Sequence, residues 1–303
     1  MTKNFPKISA GQLFCVLILS RLAVEIITPN TSTSPREAIL AIFLTELARF
    51  LLALPLIIFS FKHDNFHRYV YNKSKVWGWI SSGFAALLLI GAAVKTLLHT
   101  RKFAGNTLFI NGNMWLIFAI AAIFAVYAAF MGIEALARSG VLFLVAAGII
   151  TAAVFIADIP YYKISDVWNI SENSTLLSDI FTRFFNGGDY LIFAALLPYV
   201  NKKNANSSGK TAMFFSVFSV ILPIIFCLLN FLILREFYGI SEYPSAAAAS
   251  LSDIALFKRL DGIFAALWTL CAAFRSGIML LSAALVFVAL KRVCEQENPK
   301  TAA

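Results

Sequence analysis

Eight long apolar runs dominate the sequence and limit the folds it can adopt. Each run holds at least 18 residues, which as a helix is about the length that crosses the hydrocarbon core of a bilayer. Hydrophobic residues make up 60% of the 303 residues and charged residues 14%, whereas soluble domains are about half apolar and a quarter charged. We therefore expect an all-α polytopic membrane helix bundle. The expected spans are residues 11–28, 37–61, 76–98, 114–131, 139–157, 176–200, 211–236 and 262–290.

This composition argues against several classes of protein. A soluble enzyme, a disordered chain or a disulfide scaffold would not carry so much continuous apolar sequence, and a porin would show short alternating strands. The net charge of +9 comes from basic residues scattered between the apolar runs, so we expect a lipid bilayer and no nucleic acid as a partner. Thirteen lysines and arginines lie on the side that holds both termini and eight on the other. The positive-inside rule then places both termini in the cytoplasm.

The sixth apolar run contains a break. Its uninterrupted part, residues 190–200, is too short to cross the membrane, and Gly187, Gly188 and Asp189 interrupt the longer run. Adjacent glycines disfavour a helix and aspartate favours a helix start. We expect two half-helices with an unwound joint at mid-membrane, as transporters use for binding. The alternative is a re-entrant loop followed by a short tilted helix.

Charged residues inside the spans are candidates for the functional site because they are costly in lipid. Arg21 and Glu25 share one face of span one, either as a polar wall of a substrate cavity or as an internal ion pair. Arg275 lies too deep to reach the headgroups, so it needs an acidic partner, such as Glu25 or Asp189, or an anionic ligand.

The other charged residues in or near the spans have simpler interpretations. Glu46 and Arg49 are interpreted as a structural pair, and Lys95 as a residue that reaches the headgroups. Glu134 and Arg138, four apart after span four, would pair on a helix start at a solvated corner.

No catalytic, nucleotide-binding or metal-binding motif is present, so we expect neither an enzyme nor a cofactor. His63, His67 and His99 are expected in loops, and the four cysteines, Cys15, Cys227, Cys271 and Cys294, as free thiols. Residues 237–261 contain a Tyr243-Pro244 turn and then a stretch that we expect to form one amphipathic helix on the outer surface.

Four stretches in register resemble one known family. They are KISAGQLFCVLILSRL at 7–22, YAAFMGIEALAR at 127–138, FNGGD at 185–189 with LPY at 197–199, and YPS at 243–245 followed by SD, RLD and W up to Trp268. Together they are similar to the B subunits of bacterial spore germinant receptors, the spore germination permease family of the amino acid–polyamine–organocation superfamily.

The resemblance implies an inverted-repeat amino acid transporter-like fold. Residues 1–157 would form a first five-helix repeat, 158–290 an incomplete second repeat lacking its last two helices, and 291–303 a cytoplasmic tail. Span one lacks the family's glycine break, and Asp189 replaces the usual glutamate. The matched motifs imply structural or coupling roles for Glu134, Arg138, Tyr243, Pro244 and Asp261.

The function implied is nutrient sensing in spore germination, in the bacterial cell membrane or spore inner membrane, beside A-type and C-type receptor subunits. We expect a small nutrient, an amino acid, to bind between spans one, six and eight. The expected ligand-binding residues are Arg21, Glu25, Gly187, Gly188, Asp189 and Arg275. The alternatives are a secondary amino acid transporter and an ion-conducting or scaffolding subunit without its own ligand.

Overall fold

A computed structural model describes residues 7–32, 34–63, 66–109, 112–162, 176–201, 207–252 and 260–297. The regular structure in these ranges is helical, with one isolated backbone bridge between Ile8 and Val200. The α-helices are α1 (Ala10–Ile27), α2 (Pro35–Lys62), α3 (Phe66–Lys73), α4 (Lys75–Thr107), α5 (Met114–Phe130), α6 (Ile133–Ala157), α7 (Leu176–Phe185), α8 (Asp189–Leu196), α9 (Ser207–Leu234), α10 (Phe237–Ile240), α11 (Pro244–Leu251) and α12 (Asp261–Glu297).

Six of these helices are long and apolar enough to cross a membrane, namely α1, α2, α4, α6, α9 and α12. The shorter apolar helix α5 has 17 residues, and α7 with α8 covers the sixth apolar run. Each of the eight runs is therefore helical, and the expected all-α polytopic membrane bundle is confirmed.

Local sequence signals set where several helices begin. Ser9 starts α1 in a capping box, in which its hydroxyl accepts from the Gln12 amide and the Gln12 side chain accepts from the Ser9 amide. Ser34 caps α2 ahead of Pro35. These residues satisfy amide groups that have no partner within the helix.

α1 lies inside the bundle, with α6, α9 and α12 packed around it. α12 also lies along α4 and α5, while α2 packs against α9 and α7. Apolar side chains on the outer faces stay exposed, such as Leu52 on α2 (71%) and Leu142 on α6 (72%). Such faces suit contact with lipid. The polar groups of α1 and α12 lie in the interior of the bundle instead, away from lipid.

One local expectation from the sequence is wrong. His99 does not lie in a loop, because α4 continues to Thr107; the apolar pattern ends before the helix does. The helix expected after the Tyr243-Pro244 turn is α11, which begins at Pro244, and residues 253–259 lie outside the described ranges. His63 caps the end of α2, and the side chain of His67 is also outside the described part.

Candidate functional site

The sixth span is broken where the sequence predicts. α7 ends at Phe185 and α8 begins at Asp189, leaving an unwound joint at residues 186–188. Gly188 has a φ of 134°, a conformation that side chains disfavour. A Cβ on Gly187 would lie 2.9 Å from Nε of Arg49. The two glycines therefore serve different needs: Gly188 allows the backbone turn, and Gly187 leaves room for a neighbouring guanidinium.

Arg275 of α12 holds this joint from one side. Its side chain is fully buried, and one guanidinium nitrogen donates to Oδ1 of Asp189 at 3.0 Å and to the backbone carbonyl of Ser20. Its other terminal nitrogen donates to the carbonyls of Asn186 at 3.0 Å and Gly187 at 3.4 Å. The Ser20 hydroxyl also donates to Asp189, at 2.6 Å. Arg275 thus joins α1, the joint and α12.

Arg49 of α2 holds the end of α7 from another side. It donates to the carbonyls of Arg183 and Phe184, the latter at 3.3 Å, and it pairs with Glu46. The last carbonyls of a helix lack intrahelical partners and carry partial negative charge, so a cation is favourable there. Sequence reasoning identified the Glu46–Arg49 pair but missed this role, because a bond to a distant backbone carbonyl leaves no trace in side-chain spacing.

A chain of alternating buried charges runs from α7 through α1 to α2. Arg21 lies 3.2 Å from Glu25 and 3.0 Å from Glu46, and Arg183 pairs with Glu25 and, at 3.0 Å, with Asp179. The set contains three charges of each sign, which is how ionised groups persist in a low-dielectric interior. We call it the charge network. Its members are Asp179, Arg183, Glu25, Arg21, Glu46 and Arg49.

A polar cavity of about 50 Å³ lies beside the charge network, enclosed by α1, α7, α9, α10 and α11. Asn186 and Asn230 line it, and the amide oxygens of both are buried without a hydrogen-bond partner among the described residues. The amide nitrogen of Asn230 donates to Ser245 at 2.8 Å, and that of Asn186 to Thr28 at 3.3 Å. Buried acceptors without partners beside an open volume favour a small polar ligand or water there.

The structure separates the six residues expected to bind a ligand into three places. Arg21 and Glu25 line the polar cavity. Gly187 and Gly188 instead line an apolar groove between α2 and α4. The remaining two, Asp189 and Arg275, line neither of these two spaces and bond to each other.

The five residues with expected structural or coupling roles lie mostly outside this site. Glu134 and Arg138 form an ion pair at the start of α6, with side chains 46% and 69% exposed. Tyr243 packs its ring edge-on to Phe103 at 5.2 Å, and Pro244, which begins α11, lines the polar cavity. Asp261 begins α12.

Metal ligands are not clustered in the part of the chain that the structure describes: no group of three histidine, cysteine or acidic residues there is able to hold a metal ion. Cys15, Cys227 and Cys271 are unpaired. The described residues of the site can therefore interact with a ligand through charged groups, hydrogen bonds and backbone dipoles.

The comparison with known proteins identifies the family. No curated protein matches the chain at a significant level. The model of the spore permease family, described as spore germination protein, matches residues 7–300. This family is permease-like and membrane-embedded, and together with the six spanning-length helices it makes the chain an integral membrane protein. The chain belongs to the spore germination protein family, whose members have a role in spore germination.

Proposed function

We propose that this chain is the nutrient-sensing subunit of a spore germinant receptor and that it binds a small amino acid in the polar cavity. The observation that carries the proposal is the position of that cavity. It lies between the charge network and Asn186, the first residue of the unwound joint. A ligand there touches the charges and the broken helix at once.

The size and polarity of the cavity indicate the class of ligand. About 50 Å³ accommodates roughly four waters, at about 10–15 Å³ each. That is close to the number of heavy atoms in the smallest amino acids. The free amide oxygens of Asn186 and Asn230 suit an ammonium group, and Arg183 suits a carboxylate.

Binding would act on the joint through Asn186. Its side chain faces the cavity while its carbonyl accepts from Arg275. A carboxylate on Arg183 would compete with Glu25 and Asp179, which now hold that guanidinium. A ligand that favours one arrangement of these bonds shifts the population toward that conformation. In this mechanism Asp189, Arg275, Gly187 and Gly188 form the moving part, and Arg21 and Glu25 form part of the binding wall.

The proposed setting follows the family. We place the chain in the spore inner membrane with both termini in the cytoplasm, beside A-type and C-type receptor subunits. Glu134 and Arg138 form an exposed pair, and we assign them a coupling role toward these subunits.

Calorimetry of the purified protein in nanodiscs, titrated with L-alanine and glycine, tests the proposal. We expect saturable binding that Asn230→Ala weakens at least tenfold. Asn106→Ala is the matched control, since Asn106 bonds to Glu242 outside the cavity. Flat titrations with a wider amino acid panel would contradict the proposal and favour a scaffolding or ion-conducting subunit.

A secondary amino acid transporter is the second candidate, favoured by the permease-like family and the broken helix. It would use the same cavity but move its ligand across the membrane. Measuring the uptake of radiolabelled L-alanine into proteoliposomes distinguishes the two functions. Gradient-driven accumulation supports transport, whereas saturable binding without flux supports sensing.

A further inference from the structure

A second polar pocket lies where the end of α4 meets α11 and the start of α12. Its volume is about 330 Å³, which is within the range of small-molecule sites. Among the residues that line it are Asn106 of α4, Glu242 and Tyr243 ahead of α11, and Asp261 of α12. We call it the acidic pocket, because the described residues of its lining include two carboxylates and no lysine or arginine.

The acidic pocket is separate from the polar cavity. Pro244 and Ser245 line the polar cavity, whereas Tyr243 and Ala246 line the acidic pocket. The first turn of α11 therefore divides the two spaces, and they share no lining residue. A ligand of the acidic pocket would be a second ligand, distinct from the amino acid proposed for the polar cavity.

Tyr243 brings an unused hydroxyl to the acidic pocket. The residue is 5% exposed, and its ring packs edge-on against Phe103 at 5.2 Å. Its hydroxyl is buried without a hydrogen-bond partner among the described residues. A buried polar group of this kind costs free energy unless a ligand or a water bonds to it. The hydroxyl is therefore a group that an occupant of the pocket can satisfy.

The other polar side chains of the lining are mainly hydrogen-bond acceptors. The hydroxyls of Thr107 and Ser250 each donate at 2.7 Å to a backbone carbonyl about one turn earlier in their own helix, so their oxygens are left to accept. Ionised Glu242 and Asp261 also only accept, and the amide nitrogen of Asn106 holds the Glu242 carboxylate at 2.8 Å. A complementary ligand supplies donors and positive charge.

We propose that the acidic pocket binds a small organic cation whose charged group is a primary ammonium. Such a group has three N–H donors, which can bond to the two carboxylates and to the hydroxyl oxygen of Tyr243. The small side chains of Ala246 and Ala265 line the same pocket and leave room for a short carbon chain. A carboxylate on the ligand would be repelled by Glu242 and Asp261, so the class is amines without a carboxylate.

Calorimetry of the purified full chain in nanodiscs, titrated with propylamine at pH 7, tests the proposal. We expect saturable binding above the background of empty nanodiscs. The neutral and anionic analogues, 1-propanol and propionate, should not bind. Replacing sodium chloride in the buffer with potassium chloride should leave the affinity unchanged, since the site is built for an organic cation. A flat propylamine titration, equal binding of 1-propanol, or loss of propylamine affinity in potassium chloride overturns the proposal.

Two substitutions locate the site. Tyr243→Phe removes the hydroxyl and keeps the ring, and Asp261→Asn removes one carboxylate; we expect each to weaken propylamine binding at least fivefold. Glu236→Gln is the matched control for charge, because Glu236 is exposed and outside the lining. Thermal unfolding checks that each variant is folded, and Glu242→Gln replaces Asp261→Asn if that variant is not. Unchanged propylamine affinity in the folded variants contradicts the site. Titrating them with L-alanine reports separately on the proposed sensing function.

Discussion

The two terminal nitrogens of the Arg275 guanidinium donate to one carboxylate and three backbone carbonyls, while Nε is buried without a partner among the described residues. Removing only the cation would leave Asp189, 3% exposed, as a buried charge without its ion-pair partner. Breaking a buried pair from one side costs about 3–5 kcal/mol, whereas replacing both members with neutral groups costs much less.

We therefore expect Arg275→Met to lower the free energy of unfolding by about 3–5 kcal/mol and Arg275→Met with Asp189→Asn to recover part of that loss. Chemical unfolding of the three proteins in detergent micelles, arranged as a double-mutant cycle, measures the coupling between the two sites. Equal costs for the single and double variants would show that Arg275 acts through the backbone carbonyls alone.

Sequence reasoning reached these residues but not their bonds. A deep arginine in an apolar run must find an anion, and Glu25 and Asp189 were both open candidates. The structure selects Asp189, because Glu25 faces Arg21 and Arg183 instead. This choice depends on how α7–α8 packs against α1 and α12, which side-chain spacing within one run does not encode. Arg183 was missed for a related reason, since its partner Glu25 lies on α1, far away in the sequence.

At the scale of the element, the broken helix depends on the backbone of Gly188. An alanine there would have to adopt a φ of 134°, and its Cβ would lie 3.0 Å from Cε of Met279. A strained backbone of this kind costs about 1–3 kcal/mol.

We expect Gly188→Ala to lower the thermal unfolding midpoint, and Gly148→Ala in α6, where space is open, to raise it slightly because alanine favours a helix interior. Thermal unfolding of both variants in the same detergent checks the contrast. If Gly188→Ala is as stable as its control, the joint is not held in the conformation described.

A second element-scale feature is the contact between the ends of α6 and α11. Ser252 donates to Oδ1 of Asp158 at 3.0 Å, and Oδ2 is buried without a partner in the described residues. Burial raises the pKa of Asp158 to about 6, against the partial opposing effect of the Ser252 hydrogen bond. The unfolded chain, with an ordinary pKa, loses its proton first as the pH rises. The free energy of unfolding contributed by Asp158 is therefore full below about pH 4 and is lost as the pH rises through about 6.

We expect the wild-type protein to lose thermal stability between pH 4 and pH 7 relative to Asp158→Asn, whose amide does not titrate. The difference between the two melting curves across this range isolates the one carboxyl from the other titrating groups. Parallel curves would mean that Asp158 has the same pKa in the folded and unfolded chain.

At the scale of the whole molecule, the helical character and the order of the membrane segments could be read from the apolar runs, because lipid requires long helices whatever their packing. The polar cavity and the apolar groove between α2 and α4 could not be read in this way. Each is bounded by helices far apart in sequence, such as α1 and α9 or α2 and α7. The same apolar residues suit lipid, a neighbouring helix or a partner, so composition alone does not distinguish those surroundings.

The orientation in the membrane is a property of the whole chain, and the excess of basic residues on the side of both termini predicts that both termini lie in the cytoplasm. Tyr161 follows α6 and Asn201 follows α8, and both residues are exposed. Because the α7–α8 pair crosses the membrane once between them, they should face opposite sides of the membrane. With both termini in the cytoplasm, a cysteine replacing Tyr161 should react with a membrane-impermeant maleimide in intact cells. A cysteine replacing Asn201 should react only after the cells are permeabilised, and the unsubstituted protein controls for the native thiols. The reverse labelling pattern would mean that the chain has the opposite orientation. The nutrient would then reach the polar cavity from the opposite side of the membrane.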